Sequence, residues 1–160
     1  MFDKYDQAWA KYQKKLRLKP LPLLSWNIFS HQIAPISTFN SLQKNWVNKE
    51  DYYNQIANKS VIVTDSKLTI IFATKEMSEL TGYCTSEIIG QTPKMFQGVL
   101  TDEISRNKIR EAISKNHPFK EIVINYKKDG TCYKCEIEAY PKFDTNNNIV
   151  NYIAFERIAS

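Results

Sequence analysis

The side chains that could do chemistry are few and scattered. Cys132 and Cys135 stand three residues apart, a spacing that in isolation suits zinc or a dithiol. No second cysteine pair accompanies them, and the histidines, His31 and His117, lie far off in sequence. On a strand, an offset of three sends two side chains to opposite faces, so the thiols do not converge on a metal. Cys135 is then expected in the core or against a pocket, and Cys132 on the surface. Glu136 and Glu138 could act as paired carboxylates, but their alternation points them outward. No serine, histidine and acid arrangement has a recognisable context, so the chain is expected not to be an enzyme. The stretch "GQTPKMFQG", Gly90 to Gly98, brings a cation, Lys94, and an amide, Gln97, between two glycines. A phosphate cradle wants a glycine-rich turn from strand to helix with a lysine and a hydroxyl together, and this loop lacks that arrangement.

The elements that must hold these residues fall into two textures, over 1–58 and 59–160. In the first, Phe2, Tyr5, Trp9, Tyr12 and Leu16 alternate spacings of three and four, one stripe of an amphipathic helix. "KPLPLL" breaks it, and Ser25 is placed to cap a second helix carrying Trp26, Phe29 and Ile33. "STFNSLQKNW" and "KEDYYNQIAN" read as further helical pieces. In the second, "SVIVTD" and "LTIIFAT" are short β-branched runs joined by the turn "DSK". Helical segments follow through "MSELTGY", "TSEIIG" and "DEISRNKIREAISKN". "FKEIVINY" and "YKCEIEAYPKF" flank Lys127-Lys128-Asp129-Gly130, a hairpin signal, and "IVNYIAFERI" forms a last strand after "DTNNN".

Composition narrows the classes. The 160 residues suit one domain with an appendage, and 12% aromatic content suggests a well-filled core or an aromatic interface. A net charge of +5 is modest, so nucleic acid is not an expected partner. No apolar run approaches the ~18 residues of a membrane span, and "MFDKYDQAWAKYQKK" is no signal peptide. With three cysteines and no disulfide framework, the chain reads as cytoplasmic, with no membrane partner.

Alternation assigns faces to the last three strands. Val123 and Asn125 share one; Tyr133, Cys135 and Ile137 share one; Tyr152, Ala154 and Glu156 oppose Ile153 and Phe155. Both faces of the sheet therefore carry apolar residues, while the helices after the second strand cover only one. The N-terminal aromatic helix is the candidate cover for the other, from its own chain or from a second copy. Asn125 and Glu156 are polar groups on inward faces. They need partners, either one another, Tyr152 and water, or a ligand.

Taken in order, "VIVTD", "IIFATKEMSELTGY", "SEIIGQTPKMFQG", "IREAI", "NYKKDGTCYKCEIEAYPKFD" and "YIAFERIAS" resemble a PAS domain over about 59–160. The resemblance implies an α+β fold: a five-stranded antiparallel sheet with helices on one face, here with a helical N-terminal extension. It implies a sensory or interaction module rather than an enzyme. Within that family the chain is most similar to LOV domains, flavin-binding photoreceptors whose loop at this point carries a cysteine that bonds to the flavin. Pro93 stands in that place, so the resemblance implies a loop that serves as pocket wall, without the cysteinyl photocycle. Lys94 and Arg110 match the cations of the flavin phosphate, and Gln97 and Asn125 match polar residues that read the ring. Thr92 and Cys135 stand where LOV domains have asparagines, and Glu156 replaces a glutamine near the ring's reactive edge. Seven residues thus form the candidate cofactor site, and FMN is the cofactor the resemblance offers.

Three functions fit this reading: a PAS signalling module binding a small ligand or a protein partner; a flavin redox sensor without the thiol photocycle; and a ligand-free interaction domain whose pocket is filled by Tyr133, Tyr152 and Met95. A homodimer through the N-terminal helix and outer sheet face is expected. Because the chain ends at Ser160, and Ile158 replaces the family's usual acidic residue, signalling to a partner in trans is also expected.

Overall fold

Five β-branched and aromatic runs pair into one antiparallel sheet, seen in a computed structural model that describes residues 37–47 and 52–160. In chain order the elements are a helical stretch at 37–43 (α1), α2 (Tyr53–Ile56), β1 (Ser60–Asp65), β2 (Ile70–Ala73), α3 (Lys75–Thr81), α4 (Thr85–Ile88), a 3-10 turn (Pro93–Phe96), α5 (Glu103–Ser114), β3 (Phe119–Tyr126), β4 (Cys132–Phe143) and β5 (Ile149–Ile158). The strands lie in the order β2-β1-β5-β4-β3, so the C-terminal strand is central and β2 and β3 are the edges. This is the α+β PAS arrangement that the resemblance implies. The helices expected around Phe2–Leu16 and after Ser25 fall outside the described residues.

Local chemistry accounts for the turns. At the β3–β4 hairpin, Gly130 takes φ 86°, the left-handed conformation open to a residue without Cβ. The Lys127 amide donates to the Thr131 carbonyl to close the loop. Between β1 and β2, the Asp65 carboxylate accepts from the Lys67 and Thr69 amides. Asp102 caps α5, accepting from the Ser105 amide at 2.8 Å.

The sheet separates two cores. The inner one joins Ile62, Ile70, Ala139 and Ala154 to Met77, Leu80, Ile88 and Phe96 of the helical side. The outer one joins Val61, Val63, Phe72 and Ile153 to Phe39, Trp46, Tyr52 and Ile56. A bulge makes this division possible at the edge. Val63 pairs with Phe72 but Thr64 pairs with Ile70, so Ile71 is an extra residue and the faces of Ile70 and Phe72 come apart.

The outer face therefore has a cover, supplied among the described residues by 37–47 and 52–56 of its own chain. Trp46 Nε1 donates to Asn151 Oδ1 at 2.8 Å. Lys142, buried at 8% exposure, donates to the Tyr52 hydroxyl and lies 5.5 Å from the Trp46 ring centroid.

Candidate functional site

Between the inner sheet face and α5 lies a cavity of about 390 Å³. Its apolar wall is built from Ile62, Phe96, Ile109, Ile113, Ala139 and Ala154. A volume of this size falls within the ~300–1,000 Å³ range of small-molecule sites. The small side chains Ala139 and Ala154, paired across β4 and β5, leave the space that larger residues would fill. Tyr152 lines the cavity without filling it, and Met95 and Tyr133 pack in the core beside it.

Six of the seven residues singled out from sequence line this cavity: Thr92, Lys94, Gln97, Arg110, Asn125 and Glu156. Pro93 lines it too. Cys135 does not; it is fully buried behind Glu156, its Sγ 3.5 Å from Glu156 Oε2. Three polar lining residues escaped the sequence reading. Thr64 shares the inward face of β1 with Ile62, which alternation in "SVIVTD" would have shown. Arg106 stands one helical turn before Arg110, a spacing that also could have been read. Lys67 sits in a turn, and no pattern points to it.

The register orders the polar groups. Glu156 pairs with Ser60 and Ile137, while Tyr152 pairs with Thr64 and Pro141. Four residues of strand, roughly 13 Å, separate these two levels. Asn125 lies beyond the Glu156 level on β3, opposite Tyr133, and a backbone bridge ties it to Gln97. Glu156, Asn125 and Thr64 are buried at 5%, 2% and 3% exposure, whereas Lys67, Lys94 and Arg110 are exposed at the rim. Arg110 is already engaged by Glu103 and by Asn107, each at 2.7 Å.

The expected pairing of Asn125 and Glu156 with each other or with Tyr152 is not what the structure holds. The Tyr152 hydroxyl instead donates outward to α5 and the loop after it, 3.1 Å from the Ile113 carbonyl and 3.0 Å from Asn116 Oδ1. Burial pushes the Glu156 carboxyl up to about 7, against the lowering effect of the Cys135 hydrogen bond. Burial first, and the Glu156 charge second, push the Cys135 thiol far above its ordinary value, so it is a protonated thiol and no nucleophile. Thr64 Oγ1, Arg106 Nε, Asn125 Oδ1 and the Tyr133 hydroxyl are buried without a hydrogen-bond partner, the last two on residues paired across β3 and β4. Each such orphan costs ~1–3 kcal/mol, so a molecule offering complementary groups recovers that energy on entering.

The wall "GQTPKMFQG" is pinned by close approach. A Cβ on Gly98 would come within 2.5 Å of the Tyr126 ring, so only glycine lets the loop lie on edge strand β3. The Leu100 amide donates to the Tyr126 hydroxyl at 2.9 Å, and the Thr101 hydroxyl donates to the Ile124 carbonyl at 2.5 Å. Arg106 Nη2 donates to the Gly98 carbonyl at 2.9 Å.

A larger trough of about 640 Å³ runs along the outer face beside Lys59, Tyr140, Phe155 and Arg157. Its carboxylates are met: Glu136 receives Arg157 at 2.6 Å and Lys120 at 3.0 Å, and the Tyr140 hydroxyl donates to Glu138, while Lys59 lies over the Phe155 ring. Unmet hydrogen bonds, rather than size, mark the inner cavity as the site. Among the described residues no group of three His, Cys, Asp or Glu could hold a metal ion, and Cys132 is exposed while Cys135 is buried. No described helix is long and apolar enough to cross a membrane.

Known proteins give the same architecture. The PAS domain family profile matches residues 58–157. The blue-light photoreceptor of Listeria innocua is 32% identical over 97 residues, which are 59% of this chain and 38% of that protein. The chain thus spans well under half the length of this relative. The dark structure of the blue-light photoreceptor Aureochrome1 LOV superposes with a TM-score of 0.65 at 30% identity, covering 71% of this chain and 86% of that one. A light-oxygen-voltage domain studied with a flavin analogue has a TM-score of 0.64 at 26% identity, with 68% and 82% covered.

Proposed function

Because the chain belongs to the PAS domain family, with LOV domains among its relatives, we propose that it is a sensory module whose inner cavity binds a small molecule. Binding, and not turnover, is the biochemical act. One observation carries this reading: Asn125 Oδ1 and Thr64 Oγ1 are buried, unpartnered and set in the wall of a 390 Å³ cavity. A merely structural core would leave neither the space nor the orphaned polar atoms.

FMN fits this site in part. Lys94 and Arg110, joined by Lys67, would hold a phosphate at the rim, and Asn125 would meet the polar edge of the ring. Bound there, a flavin supplies an absorbing, redox-active ring. Glu156 is the misfit, since an ionised carboxylate only accepts hydrogen bonds. Pro93 supplies no thiol, and the buried Cys135 thiol is engaged by Glu156, so no flavin–cysteine adduct forms. A flavin redox sensor is therefore the second reading, favoured by Lys94, Gln97, Arg110 and Asn125 together.

The signal passes through β5. Its inner row, Tyr152, Ala154 and Glu156, faces the cavity, while Ile153 and Phe155 pack in or against the outer core with Trp46 and Tyr52. A ligand that prefers one setting of β5 shifts the population of the outer cover. We place the output in trans, to a second copy or another protein, with the expected N-terminal aromatic helix as the contact. A visible spectrum of the purified protein, before and after incubation with FMN, tests the flavin reading. A band near ~450 nm that blue light does not bleach to an adduct supports the second reading. A light-driven, thermally reversible loss of that band sinks the claim that the photocycle is absent.

A further inference from the structure

Among the described residues, four other than glycine take a left-handed backbone. Three are asparagines, Asn58, Asn116 and Asn147, whose short polar side chain tolerates that conformation. The fourth is Leu68, at φ 67°, where a Cβ crowds the following carbonyl. The β1–β2 turn gives no reason for a leucine. Its backbone is held by Asp65, whose carboxylate accepts from the Lys67 and Thr69 amides. The Leu68 amide donates to the Asp65 carbonyl at 3.1 Å, and the Asp65 amide donates to the Thr69 carbonyl at 2.9 Å. Glycine or asparagine would close the same turn without the crowding. Packing does not explain the leucine either, since neither the inner nor the outer core includes it.

What the Leu68 side chain does meet is the inner cavity. The lining runs from buried Thr64, Asn125 and Tyr152 to exposed Lys67, Lys94 and Arg110, so the mouth lies where the exposed residues gather. Leu68 directly follows Lys67, is half-buried, and is the apolar residue that the turn contributes to the lining. Thr64 pairs with Ile70 below the turn, so the leucine can rotate without breaking the strand pairing. We propose that Leu68 is the gate of this cavity. Its left-handed backbone carries an apolar side chain across the mouth, and the occupant exchanges only when that side chain swings aside. The gate makes the occupant a resident molecule, acquired once and held, rather than one sampled from moment to moment. The inference deepens the ligand-binding reading above and rests on it for what passes the gate.

The test needs no ligand. Ala154→Cys sets a thiol in the cavity wall, and its labelling by N-ethylmaleimide in the full chain is followed by mass spectrometry with peptide mapping. Cys84 and Cys132 are exposed and react first, so the cavity thiol gives a separate, slower phase. Leu68→Gly and Leu68→Ala are then made in this background. Both are expected to speed labelling of the cavity thiol by about tenfold or more, since each removes the gate. Leu68→Gly also relieves the crowding and should melt about 2–4 °C above its parent, whereas Leu68→Ala keeps the strain and should show no such gain. The two readouts oppose one another, because a thiol reached only through unfolding would label more slowly in a more stable chain. Labelling no faster in either variant, or a Leu68→Gly chain that melts below its parent, overturns this inference and leaves the ligand reading standing. Faster labelling in both variants of a chain whose cavity proves empty by mass supports the gate and overturns the ligand reading.

Discussion

Burial of Glu156 between Ser60 and Ile137 raises its carboxyl from an ordinary 4.5 to about 7, and that shift has a consequence for stability. Between these values the native chain holds a proton that the unfolded chain has released. The stabilisation is fully present below about 4.5 and is lost as pH rises toward 7, a loss of about 3 kcal/mol. Glu87, Asp102, Asp129, Glu136 and Asp144, held down by hydrogen bonds to their carboxylates, have lowered values and act in the opposite direction at more acid pH. Glu156→Gln should therefore melt close to the wild type at pH 5 and clearly above it at pH 8. Melting temperatures of the two proteins that stay parallel from pH 5 to 8 would show that Glu156 is not held neutral by burial. At this scale the sequence was legible where alternation or family likeness applied: Asn125 and Glu156 were read as inward-facing before any contact was known. The partner of Glu156 was not legible. A thiol 21 positions away reaches it only through the β4–β5 register, which the sequence does not print.

Elements position these residues through a few contacts that single substitutions can break. Gly98→Ala would drive a methyl into the Tyr126 ring and displace the hydroxyl that accepts from the Leu100 amide. Overpacking of this kind costs ~1–3 kcal/mol, and here it loosens the wall carrying Pro93, Lys94 and Gln97. A urea midpoint for Gly98→Ala indistinguishable from wild type would mean the loop does not rest on β3. On the other face, Trp46 is 2% exposed and anchors the cover through Asn151. Trp46→Ala should destabilise the whole domain by ~3–5 kcal/mol, detected as one cooperative transition at lower denaturant. Loss of an early partial transition alone, with the main one unmoved, would mean that the cover is a separate layer. Strands and long helices were readable because β-branched runs and turn residues agree with one another. The bulge at Ile71 was not, because "LTIIFAT" is apolar on both faces and alternation has nothing to register against.

For the domain, one sheet divides the inner cavity from an outer face covered by 37–47 and 52–56. The sequence showed that both faces needed covering, since apolar residues alternate onto each of them. The aromatic stripe at 2–16 that it offered as a cover lies outside the described residues, and it did not foresee that 37–47 and 52–56 also pack on this face. The reason is physical: Phe39, Trp46, Tyr52 and Ile56 are spread over short, unlike segments and show no single period, though each fills the outer face. The central claim is that the inner cavity holds a small ligand rather than a packed core. Its most direct test is a native mass spectrum of the full chain purified from cells, alongside the denatured spectrum of the same sample. A bound mass of a few hundred daltons above the 18.7 kDa chain, lost on denaturation, is the predicted result. A bare chain in both spectra, unchanged after incubation with FMN, would contradict it.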